Sequence, residues 1–152
     1  MNGRCQMSVE DDSMHKREGP KFLTDNERDL IKLIVSLGTK EDLVILVEGR
    51  RDEEVLRDLG VRSDIVRTQT FVARADIVDH LAEFRKQVLI LTDFDDEGIE
   101  LDRYFERELT ARKVRVLSAE RSRIRLLFGD WKCIEEMHGL FKRLDSPEPV
   151  KM

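Results

Sequence analysis

The sequence has few of the residues that cross-link or interrupt a fold, with two cysteines and three prolines among 152 residues. Cys5 and Cys133 lie far apart and form neither a metal-ligand spacing nor a disulfide framework, so we expect free thiols and a reducing cytoplasm. No apolar run reaches the ~18 residues of a membrane-spanning helix, and the first twenty residues lack the apolar segment of a secretory signal. The net charge of −5 argues against coating nucleic acid by bulk attraction.

What the sequence has in excess is charge, with 39% charged and 40% hydrophobic residues. This charged share indicates a heavily solvated surface around one core, because the chain length suits one domain. We expect residues 1–20 to form a flexible N-terminal tail, since they are polar and contain glycine and proline. We expect residues 21–145 to form a single domain.

The apolar pattern alternates between strand and helix along this domain. Thr24 and Glu27 have the spacing of a capping box and predict a helix that ends at Gly38, where a positive φ is expected. Strands are predicted at 43–47, 64–68, 88–92 and 114–117, and further helices at 52–59, 73–85, 97–111, 119–128 and 131–143. The fold class is therefore α/β, with a mostly parallel sheet of about four strands flanked by helices on both faces.

Acidic side chains follow two of these strands at the point where each strand ends. Glu48 follows the strand 43–47, while Asp93 and Asp95 follow the strand 88–92, and Glu97 begins the next helix. Ligands of open parallel sheets bind beyond the carboxyl ends of the strands. Carboxylates that meet there need a counter-charge, and Mg²⁺ prefers such hard oxygen ligands. The sequence thus predicts a Mg²⁺ site, with Mn²⁺ as an alternative, built from Glu48, Asp93, Asp95 and Glu97.

A structural role for these acids stays open at this point. Acidic residues at a helix start complement the helix dipole and cap free N–H groups. Asp95 and Glu97 suit that role, and the metal interpretation depends on both acidic groups meeting in space.

The two motifs resemble those of the toprim domain, the metal-binding module of topoisomerases, bacterial primases and the bacterial ribosomal-RNA maturation ribonuclease. Glu48-Gly49-Arg50-Arg51-Asp52 is similar to the E-G-x-x-D form of the family, and Asp93-Phe94-Asp95-Asp96-Glu97-Gly98 is similar to its D-x-D-x-E-G form. The resemblance covers about residues 41–120 and implies a Rossmann-like toprim fold in a small stand-alone protein.

The resemblance also implies roles for single residues. Glu48 would act as a general acid or base, with Asp93 and Asp95 as the other catalytic residues; these three and Glu97 would be the metal ligands. The implied function is Mg²⁺-dependent cleavage of nucleic acid, of RNA more than DNA, as in ribosomal-RNA maturation. A primase-like nucleotidyl transferase and a non-catalytic nucleic-acid-binding module of a larger complex are the alternatives, and the sequence leaves a homodimer open.

Two sets of cations are candidates for contact with nucleic acid. Arg50 and Arg51 follow Glu48 directly and are predicted to bind a substrate phosphate at the mouth of the site. A basic stretch, residues 112–125, could neutralise further phosphates, although a solvated basic face is the simpler interpretation. Phe128 and Trp131 could stack on bases, but they suit a hydrophobic core better.

Overall fold

The structure is a computed structural model that describes residues 22–140. Within these residues, three β-strands alternate with five α-helices. In chain order they are α1 (Asp25–Gly38), β1 (Leu43–Val47), α2 (Arg50–Asp58), β2 (Asp64–Arg67), α3 (Arg74–Glu83), β3 (Gln87–Ile90), α4 (Asp96–Ala111) and α5 (Ser118–Phe128). Short 3-10 helices span Thr68–Thr70 and Ile134–Met137. The predicted tail, residues 1–20, lies outside the described residues.

The sheet is parallel, with strand order β2-β1-β3. The connection from β1 leads to one side of the sheet, and the chain then crosses to the other side of β1 to form β3. The strand order therefore reverses between β1 and β3, and ligands of open parallel sheets bind beyond the carboxyl ends of the strands at such a reversal.

The central strands are buried on both faces, and their side chains alternate between two cores. Leu43, Ile45 and Val47 of β1 belong to a core with α1, α2 and α5. Val44 and Leu46 belong to a second core with α3 and α4. This burial explains why β1 is a continuous apolar run rather than an alternating one.

The predicted start of α1 is confirmed. Thr24 Oγ1 accepts a hydrogen bond from Glu27 N (3.1 Å), and Glu27 Oε1 accepts one from Thr24 N (2.8 Å). The prediction of a positive φ at Gly38 is wrong, since the described glycines with positive φ are Gly60 and Gly129. Gly38 instead allows close packing, because a Cβ there would lie 2.8 Å from the side chain of Val61.

The sheet has three strands in the described part of the chain, and the predicted fourth strand is not confirmed. Residues 114–117 contribute one isolated parallel bridge, between Val116 and Val88. The predicted last helix, 131–143, begins instead with the 3-10 helix Ile134–Met137, and residues 141–145 lie outside the described residues. The three-stranded sheet still places β1 between two neighbours, so the strand order still reverses beside β1.

The prediction of free thiols is wrong for Cys133, which is disulfide-bonded. Cys5 lies outside the described residues. The prediction of a reducing cytoplasm was based on free cysteines, and the bonded Cys133 does not support it. Within residues 22–140, no helix combines the length and apolar character needed to cross a bilayer.

Candidate functional site

The ends of β1 and β3 bring Glu48 and Asp93 into direct contact. Glu48 Oε2 accepts a hydrogen bond from the backbone N–H of Asp93 at 2.9 Å. The neighbouring strands hold this register, with Leu46 opposite Ile90 and the Leu91 N–H donating to Leu46 O. The convergence that the metal interpretation required is therefore present for these two residues.

Asp93 is held by a segment that lies forty residues further along the chain. Its Oδ1 accepts a hydrogen bond from Ile134 N at 2.8 Å. The next N–H, that of Phe94, donates to Lys132 O at 2.6 Å. Asp93 is 8% exposed, so this pairing fixes one carboxylate oxygen in a mostly dry position. This contact could not be predicted from the sequence, since neither Lys132 nor Ile134 belongs to a recognisable motif.

Asp95 has the capping role that the sequence left open. It is the N-cap of α4, and its Oδ1 accepts a hydrogen bond from Gly98 N at 2.8 Å. Glu97 lies exposed in the first turn of the same helix. Gly98 is required sterically, because a Cβ there would lie 2.0 Å from Asp93 O. The glycine thus lets the helix start approach the backbone of Asp93.

A fifth acid, Asp52, was missed as a member of the site. It is 5% exposed, and its Oδ2 accepts a hydrogen bond from Gly49 N at 3.1 Å. Asp52 interacts electrostatically with Asp93. Its signal in the sequence was its place in the E-G-x-x-D pattern. We call Glu48, Asp52, Asp93, Asp95 and Glu97 the acid cluster.

The pKa values of three members of the acid cluster are raised. Burial raises the pKa of Glu48 to about 6, and repulsion by Asp95 adds to this rise. Burial raises the pKa of Asp52 to about 7, and repulsion by Asp93 contributes. The pKa of Asp93 is likewise raised to about 7 by burial and by repulsion from Glu48. Raised acid pKa values in a crevice are typical of functional sites.

Arg121 lies beneath the site and is 7% exposed. Its guanidinium donates to the backbone oxygens of Ile90 (2.9 Å), Thr92 (2.9 Å) and Asp93 (3.2 Å). It also pairs with Asp102 (Nε to Oδ2, 3.3 Å). Burial lowers the pKa of Arg121, while Asp102 counteracts that effect. Arg121 therefore fixes the main chain that leads into the D-x-D motif, and its hydrogen bonds do not occupy the carboxylates of that motif.

The predicted phosphate ligands lie on the surface beside the cluster. Arg50 is 75% exposed and pairs with Glu54, while Arg51 is 79% exposed and pairs with Glu135. Arg51 also lines a groove of about 340 Å³ between α2 and the Ile134–Met137 helix. Exposed pairs of this kind are weak, so both guanidinium groups can exchange their partners for a phosphate.

The basic stretch does not form one nucleic-acid surface at this site. Arg121 is buried, which contradicts its expected contact with nucleic acid. Arg115 lies at the opposite edge of the sheet, since its carbonyl accepts from Val88 N near the start of β3. Phe128 is buried and packs edge-to-face on Phe94 with ring centroids 5.1 Å apart, as the core interpretation predicted.

The donor set fits a hard divalent cation, although the side chains form no ready-made cage. No three acidic, histidine or cysteine side chains within residues 22–140 stand close enough together to hold an ion. Mg²⁺ usually binds through one or two carboxylates, with water and phosphate as the other ligands. Glu48, Asp93 and Asp95 each use one carboxylate oxygen in the backbone hydrogen bonds described above, which leaves the second oxygen of each for a cation.

Comparison with known proteins finds relatives that share most of the chain. The sequence is 37% identical over 123 residues to the UPF0292 protein of Thermococcus gammatolerans, an alignment that covers 80% of this chain and 90% of the relative. It is 40% identical over 103 residues to the UPF0292 protein of Thermococcus onnurineus, covering 67% and 76% of the two chains. The UPF0292 protein of Archaeoglobus fulgidus is 28% identical over 106 residues, covering 69% and 82%.

No family model matches the chain. Among solved structures, a protein from Aquifex aeolicus has a TM-score of 0.62, with 24% identity over 74% of this chain and 99% of that chain. This likeness shows a shared α/β fold.

Proposed function

This chain belongs to the UPF0292 family, and from the chemistry of its acid cluster we propose that it is a Mg²⁺-dependent enzyme that cleaves phosphodiester bonds in nucleic acid, in RNA ahead of DNA. The contact between Glu48 and Asp93, made at 2.9 Å across two strand ends, carries this proposal. The toprim motifs at residues 48–52 and 93–98 support it, and we extend the proposal to a toprim-type version of the α/β fold.

The energetic state of the cluster also supports a cation as its ligand. The pKa values of Asp52 and Asp93 are raised to about 7 because these acids are buried near one another and near other acids. A divalent cation would remove that repulsion and return the carboxylates to their ionised form. Mg²⁺ bound there supplies positive charge that neutralises a phosphate and stabilises the transition state.

In this proposal, different residues have different roles in catalysis. Asp93 and Asp95 would hold the cation, and Glu97 would assist them. Glu48, which accepts a hydrogen bond from the Asp93 N–H beside these ligands, would take or give a proton as the general acid or base. Arg50 and Arg51 bind a neighbouring phosphate of the substrate.

The test is a double variant, Asp93→Asn with Asp95→Asn, which removes charge but preserves shape. Asparagine keeps an oxygen for the Ile134 N–H at position 93 and is a good N-cap at position 95. We expect cleavage of a labelled structured RNA in Mg²⁺ to fall at least about a hundredfold. We also expect Mg²⁺ to raise the Tm of the native protein and not that of the variant.

The matched control is Asp96→Asn, which alters an exposed acid in the same helix turn and should change neither measurement. If the double variant unfolds, the acids are structural and the metal proposal fails. Extension of a primer without cleavage would indicate the nucleotidyl transferase. A salt-sensitive gel shift with no change in RNA length would indicate the binding module.

A further inference from the structure

A pocket of about 230 Å³ opens beside the acid cluster, between the segment that follows β2 and the first turns of α4. Glu48 and Glu97 line this pocket, so it shares two side chains with the cluster. A ligand whose phosphate reaches the cluster would therefore place the chemical group next to that phosphate inside the pocket.

The pocket has both polar and apolar walls, and the apolar part lies on two sides. Its inner wall is formed by buried side chains of the second core, including Ile77 and Phe105. On its outer wall, Phe71 packs on His80 with ring centroids 5.3 Å apart, and Val72 is 104% exposed. A fully exposed valine beside an apolar wall favours a ligand with a flat apolar face that covers it.

The polar groups of the pocket are held beside Glu48. Thr68 Oγ1 and Gln69 N both donate to Glu48 O, at 3.2 and 3.1 Å. The side chain of Gln69 lies over Gly49, where a Cβ would approach its Oε1 to 2.7 Å. Gln69 therefore presents an amide, with both a donor and an acceptor, next to the acid cluster. A nucleobase offers the matching chemistry, since it has a flat face and an edge of donors and acceptors.

A cation lies at the rim. Arg74 lines the pocket, is 44% exposed and pairs with Glu100 at 3.7 Å. Its guanidinium also lies 5.4 Å from the ring centroid of Tyr104. Both contacts hold the charge near the mouth of the pocket, where a further phosphate of a nucleic-acid strand would pass.

We propose that this pocket binds the nucleoside next to the phosphate that the acid cluster engages. The base lies against Val72 and Phe71, the amide of Gln69 binds its edge, and Arg74 neutralises the next phosphate. The inference rests on the proposed function for its role in catalysis. The affinity of the pocket for a nucleoside is nevertheless measurable without metal and without turnover.

The experiment uses the full chain with ¹³C-labelled methyl groups, titrated in chelator with adenosine, guanosine, cytidine and uridine. Uncharged nucleosides avoid repulsion by the acid cluster. We expect the methyl signals of Val72 and Ala73 to shift with at least one nucleoside, and Val72→Gln to weaken that binding about fivefold. Leu126→Gln is the control, because Leu126 is also exposed (79%) but belongs to α5 and should leave binding unchanged.

Val72 makes no buried contact, so an unchanged Tm is expected in its variant and separates lost binding from lost folding. Three results would overturn the proposed nucleoside site. The first is an equal signal shift at Val72 and Leu126, the second is no shift at either residue, and the third is an unchanged dissociation constant in Val72→Gln. If nucleosides bind as expected but the Asp93→Asn, Asp95→Asn variant cleaves RNA at the native rate, the pocket stands and the metal-dependent function is refuted.

Discussion

The two edges of the sheet carry charge in opposite ways. At the carboxyl edge, Asp52 and Asp93 are buried, and their pKa values are raised to about 7 by burial and by neighbouring acids. At the amino edge, Lys86 pairs with Asp64 (Nζ to Oδ2, 2.8 Å), and both side chains are partly exposed. One edge thus concentrates like charge away from water, whereas the other exposes charges that are already paired.

This difference indicates which edge has a function beyond folding. Buried like charges destabilise a fold, whereas exposed pairs are nearly neutral in energy. An arrangement that costs stability at the carboxyl ends of the strands is best explained by a ligand that relieves it. The comparison predicts large energetic effects at the carboxyl edge and small ones at the amino edge.

The largest effect on stability is expected at Arg121. In Arg121→Met, the backbone oxygens of Ile90, Thr92 and Asp93 lose their donor, and Asp102 loses its cation. Removing one partner of a buried pair costs about 3–5 kcal/mol. Urea unfolding in chelator measures the loss.

The matched control is Arg123→Met in the same helix, at an exposed position, where the change should stay within about 0.5 kcal/mol. If both variants lose the same stability, Arg121 has no special role beneath the acid cluster, and the contrast between the two edges weakens.

The sequence was sufficient where short-range patterns determine structure. The continuous apolar run of β1, the capping box at Thr24 and the alternation of strands and helices could all be read from neighbouring residues. The proximity of Glu48 and Asp93 could be predicted because the carboxyl ends of parallel strands meet at one edge of the sheet. Residues 114–117 were predicted to form a strand, but they make only one isolated bridge with β3. Their apolar pattern alone cannot show how many bridges a segment makes.

Contacts between residues far apart in the chain could not be predicted from sequence patterns. Arg121 belongs to a run of basic residues, a pattern that indicates a solvated surface. In the structure it is buried and donates a hydrogen bond to Ile90 O of β3. The hydrogen bond from Ile134 to Asp93 joins positions 41 residues apart. Neither contact leaves a local signature, because burial and partner choice are set by the packing of α5 and the segment after it.

A comparable effect is expected from pH on the metal-free protein. The folded-state pKa of Asp93 is about 7 against an ordinary value of 3.8, so between these two values the folded chain binds more protons than the unfolded chain. The stability associated with that proton is present at low pH and is lost as the pH rises through about 7. In chelator, we expect the free energy of unfolding to fall across this window, with Asp93 contributing at most about 4 kcal/mol because each unit of pKa shift corresponds to about 1.4 kcal/mol.

Asp93→Asn cannot ionise and should remove much of this pH dependence, with Glu48 and Asp52 retaining the rest because their pKa values are also raised. Asp96→Asn, which alters an exposed acid, should keep the full dependence. A free energy of unfolding that rises with pH in the native protein would mean that the acids are stabilised as charges, contrary to the repulsion inferred for the carboxyl edge.

The smallest effect is expected at the amino edge, in the pair of Lys86 and Asp64. A double-mutant cycle with Lys86→Ala and Asp64→Ala should give a coupling energy below about 1 kcal/mol, since water and salt screen partly exposed charges. The coupling should shrink further in high salt, as measured by urea unfolding at two ionic strengths. A salt-resistant coupling as large as the effect of Arg121→Met would mean that charge at this edge is as consequential as at the carboxyl edge. Energetic asymmetry would then no longer identify the functional side of the sheet.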